Sequence, residues 1–139
     1  MMKTNEELLQ MNGLTLAYMG DAVIDLHVRE HLIDEGLLKP NRLHKHAIQY
    51  VSAKAQASFL FHLMENEGLS EEEMKIISRG RNAKSNTKPK NTDVQTYRYG
   101  TAFEALIGYH YFRGNMERIQ QLMDKMFVFH EKEGGITNG

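Results

Sequence analysis

Val94-Gln95-Thr96-Tyr97-Arg98-Tyr99-Gly100-Thr101-Ala102-Phe103-Glu104-Ala105-Leu106-Ile107-Gly108-Tyr109-His110-Tyr111-Phe112 is apolar nearly all round when wound as a helix. No two-residue alternation bounded by turn residues competes with that reading, so the stretch is a helix and not a strand. A helix apolar on every side is buried, inside its own domain or partly against a second subunit. Glu104 is the only charged residue between positions 99 and 112. A lone carboxylate in such a place is costly unless a cation or a donor meets it.

Working outward, the helix starts are readable. Thr4-Asn5-Glu6-Glu7, Ser70-Glu71-Glu72-Glu73 and Thr92-Asp93-Val94-Gln95 fit the capping box, in which two side chains satisfy orphaned backbone donors. Asn115 after Gly114 reads as another N-cap, and Pro40 suits a first helical turn. These signals predict helices over 14–34, 41–65, 71–79, 92–112 and 115–132, with a short one before Gly13. In the first of them Leu16, Met19, Val23, Leu26 and Ile33 recur at helical spacing. The expected class is all-α, one domain over residues 1–139, with a basic loop at 79–91 and a flexible tail at 133–139.

The 139 residues suit one core, and 41% apolar content is ordinary for a globular chain. With no cysteine there is no disulfide framework and no thiolate chemistry. No apolar run approaches a membrane span, and the first residues lack a signal-peptide core, so a cytoplasmic protein without membrane contact is expected. The net charge of −1 argues against a blanket polycation. That total hides segregation: Glu65 to Glu73 holds five acids, and the stretch from Arg79 to Lys90 holds five basic residues and no acid.

Three constellations could carry chemistry. His27-Val28-Arg29-Glu30-His31 matches the inverted zinc-peptidase pattern H-x-x-E-H. Five residues are a weak signal, and both histidines read instead as polar-face residues near a helix C-terminus, where cationic character is favoured. His44 and His46 read as surface residues. Gly20-Asp21 sits mid-helix, where glycine costs up to about 1 kcal/mol, so close helix approach or room for a ligand must compensate. Glu104 lies one turn from Gly100 and Gly108. If it faces Asp21, two carboxylates converge in a glycine-lined cleft that suits a hard cation such as Mg²⁺; otherwise each is a carboxylate satisfied by its own donors.

Gly20-Asp21-Ala22-Val23 together with Phe103-Glu104-Ala105-Leu106-Ile107-Gly108 resembles the two acidic motifs of the ribonuclease III nuclease domain. With Arg79-Gly80-Arg81-Asn82-Ala83-Lys84 and the stretch from Asn91 to Arg98, the chain resembles the short Mini-ribonuclease III branch of that family over roughly residues 8–130. The resemblance implies that Asp21 and Glu104 are the catalytic, metal-binding acids and that Mg²⁺ is the cofactor. Larger members of the family carry two further acids. Here Ala17 and Thr101 stand in their places, as in the short branch.

The resemblance further implies a two-fold homodimer that cuts double-stranded RNA in maturation of the 23S ribosomal RNA precursor, with a ribosomal protein as a further partner. No C-terminal double-stranded-RNA-binding domain is expected, so the catalytic domain itself must grip RNA, mainly through phosphates and 2′-hydroxyls. Arg79, Arg81, Lys84, Lys88, Lys90 and Arg98 are the candidate RNA contacts. The competing reading is a non-catalytic dimeric RNA-binding or ribosome-assembly factor of the same fold, for which the two missing acids speak.

Overall fold

Thr4 and Ser70 each close a capping box: each hydroxyl accepts from the backbone N–H three residues on, and Glu7 or Glu73 accepts from the cap backbone in return. These caps open two of the helices in a computed structural model that describes residues 3–66, 68–83 and 93–133. The helices are α1 (Asn5–Gln10), α2 (Gly13–Asp34), α3 (Pro40–Val51), α4 (Ala53–Asn66), α5 (Glu71–Asn82), α6 (Val94–Phe112) and α7 (Met116–Glu133). There is no strand among the described residues, and the all-α class holds. No helix among them is long and apolar enough to cross a membrane.

Helix α6 is central, packed by α2, α5, α4 and α7. Its Ala102, Phe103, Leu106 and Ile107 are fully buried among Ile24, Val28, Phe59, Leu60, Leu63 and Met123. A smaller cluster of Leu8, Leu16, Ala17, Ile76, Ala105 and Tyr109 fills the space under α1. Glycines set the closest crossing. A Cβ on Gly20 would collide with the Glu104 carbonyl, and one on Gly108 with the Leu16 carbonyl. Backbone therefore meets backbone where α2 crosses α6, and close helix approach is the reason for glycine in mid-helix.

Four expectations are corrected. The stretch 41–65 is two helices, because Ser52 is extended (ψ 154°) and its hydroxyl accepts from the Ala55 N–H, capping α4. Helix α5 runs on to Asn82, so Arg79 and Arg81 stand on a helix and not in a loop. The cap of α6 is Asp93, whose carboxylate accepts from the Thr96 N–H, one residue later than the capping-box reading placed it. Leu26 and Ile33 are exposed, at 66% and 48%; the buried face of α2 uses Leu16, Gly20, Val23, Ile24, Val28 and Leu32. Lys84, Lys88, Lys90, the rest of the expected basic loop and the tail from 134 lie outside the described residues.

The ends of α5, α6 and α7 are locked by one buried acid. Glu73 accepts from His110 Nε2 (2.8 Å), from Arg118 Nε and Nη2 (2.9 and 3.2 Å) and from the Ser70 N–H (3.0 Å). Burial alone would raise its carboxyl. The hydrogen bonds of His110, Arg118 and Ser70 and the Arg118 charge win, holding it at about 2. This fixes the far end of the helix that carries Glu104.

Candidate active site

Asp21 projects from the exposed side of α2 one residue after the Gly20 crossing, and Glu104 projects from α6 at the same crossing. Because the two backbones touch there, the side chains next to the contact meet: Glu104 is hydrogen-bonded to Asp21. Burial, first, and then that hydrogen bond and the Asp21 charge push the Glu104 carboxyl up to about 9. At neutral pH Glu104 thus holds a proton and donates it toward Asp21.

Gln56, almost wholly buried on α4, acts on Glu104 as well and opposes the rise. Its Nε2 has no well-formed hydrogen-bond partner. Sequence reasoning missed it; a lone amide in Ala53-Lys54-Ala55-Gln56-Ala57, on a helix otherwise apolar toward the core, was the available signal. No Lys or Arg lies within ion-pair distance of Asp21 or Glu104 among the described residues. Facing carboxyl groups with no cation beside them among the described residues, relieved by a retained proton and by Gln56, form a donor set that a hard divalent cation fits.

Neither of the two positions at which the larger family members carry further acids supplies a carboxylate here. Ala17 is buried within the cluster under α1, and the Thr101 hydroxyl donates to the Tyr97 carbonyl at 3.0 Å. Neither position offers a free ligand in this geometry.

Of the basic candidates that are described, Arg98 is exposed near the start of α6. Arg81 donates to the neighbouring Asn82 side chain at 3.3 Å. Arg79 is exposed but partly committed, since its guanidinium donates to the Met11 carbonyl from Nη2 (2.7 Å) and Nε (3.3 Å). The H-x-x-E-H histidines are not brought together on a common ligand. His31 turns to α7, its ring stacked on Phe127 with centroids 3.8 Å apart, while His27 takes no part in that cluster. For His31 the polar-face expectation is therefore corrected. His44 is exposed and His46 half-exposed, as surface residues would be.

An all-helical domain built round one helix, with two acids facing each other at its closest crossing, has the makings of an acidic-site nuclease. A family model, the ribonuclease III domain, matches residues 14–115, and the chain belongs to the ribonuclease III family. It is 54% identical over 118 residues to Mini-ribonuclease 3 of Staphylococcus aureus, across 85% of this chain and 88% of that protein. Mini-ribonuclease 3 of Brevibacillus brevis is 53% identical over 122 residues, across 88% and 90%. A solved structure of a Fusobacterium nucleatum protein superposes with a TM-score of 0.77 at 30% identity, covering 86% of this chain and 93% of that one. The chain is an endoribonuclease.

Proposed function

We propose that this endoribonuclease hydrolyses double-stranded RNA with Mg²⁺ held by Asp21 and Glu104, and that its substrate is the precursor of 23S ribosomal RNA. The observation that carries the reading is the hydrogen-bonded meeting of those two carboxyl groups at the glycine crossing of α2 and α6. Bound there, Mg²⁺ supplies Lewis-acid stabilisation of the scissile phosphate and a lowered pKa for the attacking water.

The chain's own residues divide the remaining work. Asp21 is exposed and offers its carboxylate on the side open to a phosphate; Glu104 is held from behind by the core of α6. Glu104 must give up its proton for the metal, so the site loads as an exchange of a proton for a cation. Gln56 brings both an amide donor and a carbonyl to the edge of the pair. Arg81, Arg98 and the lysines at 84, 88 and 90 contact backbone phosphates, with Arg79 contributing whatever its bond to Met11 leaves free.

A two-fold dimer gives one site to each strand of the duplex. Supporting it, Tyr18 (82% exposed), Leu26, Ile33 and Leu38 put large apolar side chains in water on and just beyond α2. Mapping the products from precursor 23S ribosomal RNA, with and without its bound ribosomal proteins, tests the substrate. Discrete Mg²⁺-dependent cuts in the double-stranded ends of the precursor support the reading, and an untouched precursor overturns it.

A further inference from the structure

Some ten residues beyond Asp21, about 15 Å along α2 by helical rise, a second group of donors converges. His31 Nε2 lies 3.3 Å from Glu35 Oε1 and 3.3 Å from Glu131 Oε1, and the three donor atoms all fall within 4.8 Å of one another. His31 and Glu35 are one turn apart at the end of α2; Glu131 comes from the last turn of α7. Donors held at zinc distances in a tetrahedron stand about 3.4 Å apart, which is the spacing that His31 already keeps from both carboxylates.

The imidazole is fixed for this purpose. It stacks on Phe127 (3.8 Å, 5°) and lies perpendicular to the Tyr50 ring with centroids 6.0 Å apart. A separate observation points to a ligand. Tyr50 is completely buried, its hydroxyl has no hydrogen-bond partner, and the charges that act on it are those of Glu131 and Glu35. A buried hydroxyl without a partner costs about 1–3 kcal/mol, and a water on a bound cation would supply the partner.

We infer that His31, Glu35 and Glu131 form a structural Zn²⁺ site, with Tyr50 behind it, that pins the end of α2 to the end of α7. One imidazole and two carboxylates suit Zn²⁺ better than Mg²⁺, which prefers an all-oxygen shell. The three side chains are partly exposed, so a cation can enter from solvent. The site is independent of the Asp21–Glu104 pair. Only one histidine of the H-x-x-E-H pattern takes part, and the other two ligands lie outside it.

The test uses the full chain freed of metal by chelation and titrated with zinc chloride alone, read by calorimetry and by thermal melting. Wild type should bind zinc at His31 and melt at higher temperature with it, whatever further zinc the Asp21–Glu104 pair takes up. The double variant Asp21→Asn/Glu104→Gln should bind zinc at His31 equally well, which separates the two sites. Glu131→Gln and Glu35→Gln should each lose about 100-fold or more in zinc affinity, since even outer partners of metal ligands can cost that order, and their melting should no longer respond. Helix content without zinc shows that the variants fold, and two carboxamide variants at partly exposed positions guard against one failing to do so. No zinc uptake by wild type, or unchanged uptake in the folded Glu131→Gln and Glu35→Gln variants, overturns the inference. RNA cleavage by Glu131→Gln should equal that of wild type.

Discussion

Gly20 of α2 lies directly against the main-chain carbonyl of Glu104 on α6, leaving no room for even a β-carbon between them. The contact sets both the spacing of the two helices and the meeting of the two acids, because Asp21 is the next residue along. Gly20→Ala must push the helices apart. It should cost about 1–3 kcal/mol of stability through overpacking. Displacing the acids by about 1 Å should also lower cleavage by about 100-fold. Denaturant melts and RNA cleavage assays on the same preparation check both; full activity in Gly20→Ala would contradict the positioning role.

The Glu73 cluster predicts acid sensitivity. Its folded carboxyl is held at about 2 against an ordinary 4.5, so the native state binds fewer protons than the unfolded state between those values. The stability it contributes is fully present above about pH 4.5 and is lost as the pH falls toward 2. Arg118→Ala should destabilise by about 3–5 kcal/mol, because it strips a buried carboxylate of its main cation. Glu73→Gln should flatten the fall in melting temperature with acid relative to wild type, and an unchanged slope would remove Glu73 from this role.

The three described arginines among the RNA candidates are expected to differ. Arg98→Ala and Arg81→Ala should weaken RNA binding uniformly across sequences, each reducing the salt slope of the binding constant by about 1. Arg79→Ala should in addition cost about 1 kcal/mol of stability, since it removes the bond to the Met11 carbonyl that ties α5 to the C-cap of α1. Binding titrations at several salt concentrations beside thermal melts separate the two effects.

Leu26→Asp tests the apolar side of α2. That side chain is 66% exposed, so the change should leave the fold of one chain intact. It should shift a dimer toward monomer in sedimentation, with cleavage of both strands falling together. A dimer of unchanged strength would move the interface elsewhere.

The helical class was legible, and the two candidate acids could be picked out, because they rest on local signals: apolar periodicity, caps, and two short motifs in a fixed order. What escaped was tertiary. Ser52 breaks one expected helix in two by turning its hydroxyl onto a new N-terminus, a choice that a mid-helix serine does not announce. Leu26 and Ile33 fit the helical period, but the Gly20 crossing rotates α2 so that Ile24, Val28 and Leu32 face the core instead. Arg79 and Arg81 read as loop because glycine and charge crowd that stretch, while Gly80 is needed where α5 presses on Ala102 of α6. Gln56 and the turn of His31 toward Glu131 depend on residues far away in sequence.

The most direct measurement is cleavage of long double-stranded RNA by wild type, Asp21→Asn and Glu104→Gln, with and without Mg²⁺, beside RNA binding by the same proteins. Losing a ligand that contributes several kcal/mol of charge stabilisation should reduce cleavage by about 1,000-fold or more. RNA binding should persist in both variants, and wild type should cleave only with the metal. Mg²⁺-dependent cleavage retained by folded Asp21→Asn would contradict the assignment of the site.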